Sequence, residues 1–234
     1  MNALILMTRT PIAGMTKTRL MKVLTGEECA EIHRCFLLDL FKMVSELRQI
    51  ADIYVTYTPE KSLYLMADII PSFIDSFPQK GYDIGERMDN SIQKLLNKGY
   101  SKVILIGSDI PSLQSEDIKK AYEELEEKDI CIGPTNDGGY YLVGMKKRCR
   151  DIFSSNLKWG YKSVFEATVS IANNLGLKVG LVAKLSDIDE KEDIEDFMKR
   201  IQKEEFKVKT LPINTVNFIQ NRWGGGINVK RYVK

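Results

Sequence analysis

The alternation of strand-like and helix-like segments constrains the fold of this chain more than any other feature. Short apolar runs, the first at residues 3–7 and the most compact at 102–107, alternate with amphipathic segments such as 25–48 and 83–96. Apolar residues at helical spacing indicate helices, whereas short continuous apolar runs indicate buried strands. Because this order continues along most of the chain, we expect one α/β domain with a mostly parallel sheet covered on both faces by helices.

The composition argues against several classes of protein. With 34 basic and 32 acidic residues, the chain gives no bulk electrostatic reason to bind nucleic acid or an anionic membrane. No apolar run approaches the roughly 20 residues of a membrane span, and no signal peptide is apparent. The four cysteines form no C-x-x-C pair, and the single histidine, His33, has no partner for a zinc site or a triad. We therefore expect a cytoplasmic protein with reduced, buried thiols and no chemical role for His33.

The first predicted strand runs into a loop that is rich in cations. Glycine lets backbone N–H groups approach an anion, and basic side chains neutralise its charge. The spacing in this loop matches neither the Walker motif nor the dinucleotide fingerprint, so it predicts a nucleotide site of another kind. The candidate phosphate-binding residues of the loop are Arg9, Pro11, Gly14, Lys17 and Arg19.

Two carboxylates follow predicted strands, where α/β enzymes place their sites. Asp109 comes directly after the strand at 102–107 and is a candidate ligand for Mg²⁺, which takes one or two protein carboxylates. A simple turn cap is the alternative role for Asp109. Asp137 precedes Gly138 and Gly139, which either allow close approach of a ligand or form a hairpin turn.

Two further segments carry candidate residues near helix starts. Gly85 opens a predicted helix whose N-terminal dipole suits anions, and Arg87 would contact phosphate or ribose, or else pair with a neighbouring glutamate. Asp187 and Asp189 precede the last predicted helix of the α/β region. They are candidate metal ligands, with helix capping as the alternative.

The C-terminal tail departs from the alternation. Residues 216–223 and 227–233 are expected to form two strands around three glycines, as an edge hairpin, a subunit contact for a homodimer, or a flap over an acceptor site. We therefore divide the chain into a domain of residues 1–203 and an extension of residues 204–234.

Four motifs occur in order between about residues 3 and 197. They are R-x-P-x-x-G-x-x-K-T-R-L, Q-x-G-x-D-x-G-x-R-M, G-S-D-x-P and G-P-x-x-D-G-G-Y-Y-L-x-G. Together they resemble the small bacterial GT-A-type glycosyltransferase-like proteins known as radical-SAM/selenodomain-associated transferases. That family is similar to phospholactate guanylyltransferase and the molybdenum-cofactor guanylyltransferases.

The resemblance implies a three-layer nucleotide-diphospho-sugar transferase fold and a divalent cation, Mg²⁺ or Mn²⁺. It implies metal ligation by Asp109, Asp187 and Asp189. The catalytic residues that it implies are Lys17, Arg19 and Asp137. The nucleotide-binding residues are then Arg9, Pro11, Gly14, Lys17, Arg19, Gly85, Arg87, Ser108, Gly138 and Gly139.

Two reactions are compatible with these residues. The first expectation is glycosyl transfer from a nucleotide-diphospho-sugar to a small acceptor, with a nucleoside diphosphate as leaving group. The alternative is nucleotidyl transfer from an NTP to a phosphorylated small molecule, with release of pyrophosphate. A second alternative is a non-catalytic nucleotide sensor, which the presence of Asp109 and Asp137 disfavours.

Overall fold

The computed structural model describes residues 1–153, 164–202 and 210–224, in which a seven-stranded sheet is flanked by helices. The strands are β1 (Asn2–Arg9), β2 (Asp52–Thr58), β3 (Asp75–Pro78), β4 (Lys102–Gly107), β5 (Ile130–Pro134), β6 (Tyr140–Met145) and β7 (Val179–Leu181). The helices are α1 (Gly26–Ser45), α2 (Ile84–Leu96), α3 (Ser115–Glu127), α4 (Val164–Asn174), α5 (Lys191–Gln202) and α6 (Ile213–Trp223).

The strand order of the sheet is β3-β2-β1-β4-β6-β5-β7. β6 runs antiparallel to its neighbours β4 and β5, and the other pairs are parallel. The C-terminal ends of all strands except β6 therefore meet along one edge of the sheet. The expected α/β fold with a mostly parallel sheet is confirmed.

Successive apolar side chains of β1 point to opposite faces of the sheet and so contribute to two core layers. Leu4 and Leu6 pack in one cluster with residues of α1 and α3, whereas Ala3 and Ile5 pack in another with residues of α2 and α4. Because both faces of the sheet are covered, β1 reads as a continuous apolar run rather than an alternating one.

The helices begin at the capping residues that their sequences supply. In α1, the Thr25 hydroxyl accepts from the backbone N–H of Glu28 at 3.2 Å, and the Glu28 carboxylate accepts from the Thr25 N–H at 2.8 Å. In α2, Asp83 accepts from the N–H of Glu86 at 2.8 Å. These caps satisfy N–H groups that have no partner within the helix.

The prediction of a C-terminal hairpin is wrong in its first half. Residues 213–223 form helix α6, in which Val216 and Ile219 are buried against α1 and α5. Their separation of three residues fits the period of a helix. The segment is short, and its apolar and polar residues also alternate as in a strand, so the pattern alone does not distinguish the two. The expected second strand, 227–233, lies outside the described residues.

Two other expectations concern the cysteines and membranes. All four cysteines are free thiols, and Cys29, Cys35 and Cys131 are buried, as expected. Among the described helices, none combines the length and the apolarity that crossing a bilayer requires.

Candidate functional site

A cavity of about 720 Å³ opens at the edge of the sheet where the parallel strands end. Its walls come from the segments after β1, β3, β4, β5 and β7. It brings together most of the residues predicted from the sequence: Arg9, Lys17, Arg19, Arg87, Ser108, Asp109, Asp137, Gly139, Asp187 and Asp189.

The remaining predicted residues are not among those that line this cavity. Pro11 lines a separate surface groove, and Gly85 is buried in the first turn of α2. Gly14 has φ +71° and packs so closely on the start of α1 that a Cβ on Gly26 would lie 2.8 Å from the Gly14 nitrogen. The Gly138 carbonyl accepts from the N–H of Phe165 at 3.0 Å. Gly14 and Gly138 thus shape the backbone beside the cavity.

Lys17 joins the cation loop to the carboxylates. Its side chain is 4% exposed, and Nζ lies 2.7 Å from Asp109 Oδ1 and 2.9 Å from Asp189 Oδ1. It also donates to the carbonyl of Ile188 at 2.7 Å. These three acceptors match the three N–H donors of an ammonium group. Lys17 therefore holds two strand ends together, and in this arrangement it has no donor left for a phosphate.

The backbone and the electrostatics of Lys17 fit this linking position. Its φ of 52° and ψ of 41° lie in the left-handed region, which is uncommon for a residue with a side chain. Burial lowers the pKa of the ammonium, but Asp109 and Asp189 outweigh that effect and raise the pKa above its usual value. Burial likewise raises the pKa of Asp109, and Lys17 brings the net pKa below the usual range. Lys17 is thus charged, and so is Asp109.

Asp187 and Asp137 are in a different electrostatic position. Burial, together with the nearby charges of Asp137 and Asp189, raises the pKa of Asp187 to about 6. In the part of the chain that the structure describes, neither Asp187 nor Asp137 forms an ion pair. The charge of Lys17 lowers the pKa of Asp187 only slightly against these effects, so this end of the cavity carries carboxylates that no described cation pairs directly.

This charge distribution bears on the fit of a divalent cation. Within residues 1–153, 164–202 and 210–224, no three acidic, histidine or cysteine side chains form a preassembled metal centre. The expected trio of Asp109, Asp187 and Asp189 is divided, because Lys17 already neutralises two of its members. Mg²⁺ needs only one or two protein carboxylates. The carboxylate of Asp187, which forms no ion pair in the described part of the chain, therefore fits a cation better than the expected trio does.

The three arginines of the cavity are placed differently. Arg19 Nη1 lies 3.2 Å from Asp189 Oδ2, with the arginine side chain more than half exposed. The Arg87 Nε donates to the carbonyl of Gly81 at 3.0 Å. Arg9, at the end of β1, is exposed and lines the cavity. Arg9 and Arg19 are thus the cations that an anion reaches most easily from solvent.

Sequence reasoning assigned no role to two polar residues of the cavity wall. His33 lies 3.0 Å from the Thr8 hydroxyl and 3.0 Å from the Arg9 carbonyl through Nε2, and its buried Nδ1 has no partner among the described residues. Gln79 Nε2 donates to the carbonyls of Thr8 and Thr56. Of these two residues, only Gln79 could have been identified from the sequence, because it is the first residue of the motif Q-x-G-x-D-x-G-x-R-M.

A curated relative is a 2-phospho-L-lactate guanylyltransferase from Methanopyrus kandleri (strain AV19). It is 32% identical over 97 residues, which are 39% of this chain and 47% of the relative. The chain thus spans about half the length of this curated relative.

Solved structures match over more of the chain. A Desulfovibrio desulfuricans G20 protein, provisionally described as a nucleotide-diphospho-sugar transferase, is 29% identical with a TM-score of 0.83, covering 99% of this chain and 97% of its own. A cytidylyltransferase from Leptospira borgpetersenii, 14% identical, has a TM-score of 0.54 with 94% of each chain covered. A 4-diphosphocytidyl-2C-methyl-D-erythritol synthase from Anaerococcus prevotii, also 14% identical, has a TM-score of 0.57 and covers 86% of this chain and 96% of its own. The last two likenesses concern the fold alone.

A family model covers the centre of the site. It is described as "Uncharacterized protein conserved in bacteria (DUF2064)" and matches residues 43–161, just over half of the 234 residues. The matched range includes β4 with Asp109, and β5 with the turn that carries Asp137. Together with the relatives above, this match confirms the resemblance seen in the motifs. The chain belongs to this bacterial family, DUF2064.

Proposed function

We propose that this protein transfers a glycosyl group from a nucleotide-diphospho-sugar to a hydroxyl group of a small acceptor. The observation that carries the proposal is the single cavity in which the cations after β1 face carboxylates from the ends of β4, β5 and β7. A departing diphosphate is stabilised by fixed cations, and an attacking hydroxyl is helped by a carboxylate that accepts its proton. The chain-wide likeness to the Desulfovibrio protein supports the same reading.

The proposed reaction divides the cavity between the two substrates. Arg9 and Arg19 contact the phosphates, because they are the more exposed cations of the wall. The acceptor oxygen attacks the anomeric carbon of the sugar, the bond from that carbon to the diphosphate breaks, and the nucleoside diphosphate leaves. Asp137 takes the acceptor proton, held in place by the N–H of Gly139 at 2.9 Å. Lys17 positions Asp109 and Asp189 rather than contacting phosphate.

A divalent cation belongs to this proposal. Asp187 would hold it, with Asp109 as a further ligand if Lys17 yields that carboxylate, and Asp137 would stay available to accept the proton of the acceptor. When bound, the cation supplies charge neutralisation for the phosphates. The matched variants Asp187→Asn and Asp189→Asn separate the two ligand sets, because only loss of Asp187 should remove metal-dependent binding of a nucleotide.

Nucleotidyl transfer is the second candidate, and the guanylyltransferase relative favours it. In that reaction, a substrate phosphate attacks the α-phosphate of an NTP, the bond to the β-phosphate breaks, and pyrophosphate leaves. No general base is needed, because the attacking phosphate is already anionic. The two reactions therefore differ in their product and in their dependence on Asp137.

The test begins with binding and ends with product identity. Calorimetry with UDP-, GDP-, ADP- and CDP-sugars and with the four NTPs, each with Mg²⁺ or Mn²⁺, identifies the donor class. Product analysis with a panel of hydroxyl and phosphate acceptors then separates nucleoside diphosphate from pyrophosphate. Absence of binding by both classes contradicts the transferase proposal, and binding without turnover across the panel favours a sensor.

A variant pair tests the role of the carboxylate. Asp137→Asn is expected to lower kcat for glycosyl transfer by about 10²- to 10⁴-fold while changing nucleotide affinity little. Asp75→Asn is the matched control, because Asp75 is exposed at the start of β3, on the opposite edge of the sheet. Equal activity of the two variants would remove Asp137 from the mechanism.

A further inference from the structure

Three exposed apolar side chains belong to the wall of the cavity. Met15 is 55% exposed, Tyr82 is 97% exposed and Ile84 is 48% exposed, and all three line the cavity. We call them the apolar rim. They come from two segments far apart in the sequence, the loop after β1 and the stretch from β3 into α2. Single exposed apolar residues are ordinary on a protein surface, whereas several in the wall of one cavity indicate a binding surface.

The backbone that carries Tyr82 is held in place on both sides. The N–H of Tyr82 donates to Glu86 Oε2 at 3.0 Å, and the Gly81 carbonyl accepts from Arg87 Nε at 3.0 Å. Gly81 has φ +140°, and a Cβ there would lie 2.8 Å from the Arg87 nitrogen. The segment is thus fixed while the tyrosine ring faces solvent. Because the backbone is already held, binding of a flat partner to the ring orders only the side chain of Tyr82 and costs little backbone entropy.

The strand order separates the rim from the carboxylates. Tyr82 and Ile84 follow β3 at one border of the sheet, whereas Asp137 and Asp187 follow β5 and β7 towards the other. Arg9, at the end of β1, lies between them. If phosphates bind in the middle, the two groups that they join must extend in opposite directions. The group to be transferred needs the carboxylate end, so the nucleoside extends towards the rim.

We propose that Tyr82, together with Met15 and Ile84, forms the platform on which the nucleobase of the activated nucleotide stacks. The inference rests on the nucleotide of the proposed function. A nucleotide has charged phosphates and a flat, weakly polar base. In the cavity, the exposed arginines match the phosphates and the apolar rim matches the base. Aromatic side chains stack on every base, and thioether side chains adapt to ring surfaces. The platform therefore supplies affinity, while other contacts read the identity of the base.

The experiment compares ligands with and without a base. GDP, UDP, ADP and CDP are titrated by calorimetry with Mg²⁺ present, beside inorganic pyrophosphate. Tyr82→Ala is expected to weaken the nucleotide that binds best by about 5- to 100-fold. Pyrophosphate affinity stays within about twofold, since it has no ring to stack, and Tyr82→Phe stays close to wild type. Tyr64→Ala is the matched control, because Tyr64 is 73% exposed and lines a separate groove.

The outcomes separate this proposal from the proposed function. Equal nucleotide affinity in Tyr82→Ala and wild type overturns the platform, even if glycosyl transfer is observed. An equal loss for nucleotide and pyrophosphate also overturns it, because the substitution then acts on the phosphate site. A Tyr82-dependent nucleotide affinity without any transfer product supports the platform and contradicts the transferase. Binding of pyrophosphate but of no nucleotide overturns both.

Discussion

Two buried charges near helix α1 are satisfied in opposite ways. Lys17, just before α1, is paired with two carboxylates that are themselves partly exposed in the cavity. Asp39, inside α1, is 2% exposed and accepts four hydrogen bonds of 2.7 to 3.0 Å from Asn214 and Thr215 at the start of α6. A ligand can compete for the partners of Lys17, whereas those of Asp39 are groups of a helix terminus. The first charge therefore belongs to a site, and the second to the architecture.

The largest effect on stability is expected from Lys17→Met. It leaves the carboxylates of Asp109 and Asp189 without their counter-charge; breaking a buried pair costs about 3–5 kcal/mol, and we expect the lower end of that range because both carboxylates are partly exposed. Urea unfolding measures the loss, with Lys22→Met as a control, since Lys22 is exposed and its pair with Glu190 is 3.7 Å long. An exposed pair of that kind contributes about 0–1 kcal/mol.

The response of Lys17→Met to Mg²⁺ tests whether the partners of Lys17, unlike those of Asp39, are available to ligands. If the partners of Lys17 are available to ligands, added Mg²⁺ should raise the melting temperature of Lys17→Met more than that of wild type. Equal shifts in the two proteins would mean that Asp109 and Asp189 do not attract the cation. The Lys17 pair would then be architectural, like that of Asp39.

The pH dependence of stability tests how dry the surroundings of His33 are, on the side of α1 that faces the cavity. Burial lowers the pKa of His33 to about 4, with Asp109 opposing the shift and Lys17 and Arg9 reinforcing it. The unfolded chain takes up this proton near pH 6.5, but the folded chain resists until about pH 4, so stability falls as the pH falls between these values. The difference in pKa corresponds to about 3 kcal/mol.

The measurement compares wild type with His33→Gln across that range. Between pH 6.5 and pH 4, the free energy of unfolding of wild type should fall by about 3 kcal/mol more than that of the variant. Carboxylates that titrate in both proteins cancel in this difference. Parallel pH profiles would show that His33 accepts a proton in the folded state, and that its surroundings are wetter than the structure indicates.

These residues also show which parts of the fold and the site can be predicted from the sequence. The strands, the main helices and the gathering of Asp109, Asp137, Asp187 and Asp189 at one edge follow from periodicity and from the rule that parallel strands end together. The pairing of Lys17 with Asp189 does not, because it joins residues 172 positions apart. Local pattern carries no information on which loop folds over which.

The position of His33 and the structure of the tail also depend on more than local pattern. A lone histidine on an apolar helix face looks like a core residue, and His33 is one by burial. Its place in the cavity wall depends on the contact of α1 with the end of β1, where His33 Nε2 lies 3.0 Å from both the Thr8 hydroxyl and the Arg9 carbonyl. In the tail, the apolar residues of 216–223 fit both the alternation of a strand and the spacing of a helix, and a segment this short does not decide between them. Asp39, in a distant part of the chain, favours the helix because it caps the N-terminus of α6.

The smallest effect is expected from Asp39→Ala. Pro212 precedes α6 and offers no side-chain cap, so Asp39 satisfies the first N–H groups of the helix. Burial raises the pKa of Asp39 despite these donors, which means that desolvation offsets part of their contribution. We therefore expect a net loss of about 2 kcal/mol, below that of Lys17→Met. Faster hydrogen exchange confined to α6, with nucleotide affinity unchanged, would mark Asp39 as architectural. A loss of nucleotide affinity in Asp39→Ala would instead couple α6 to the cavity through α1.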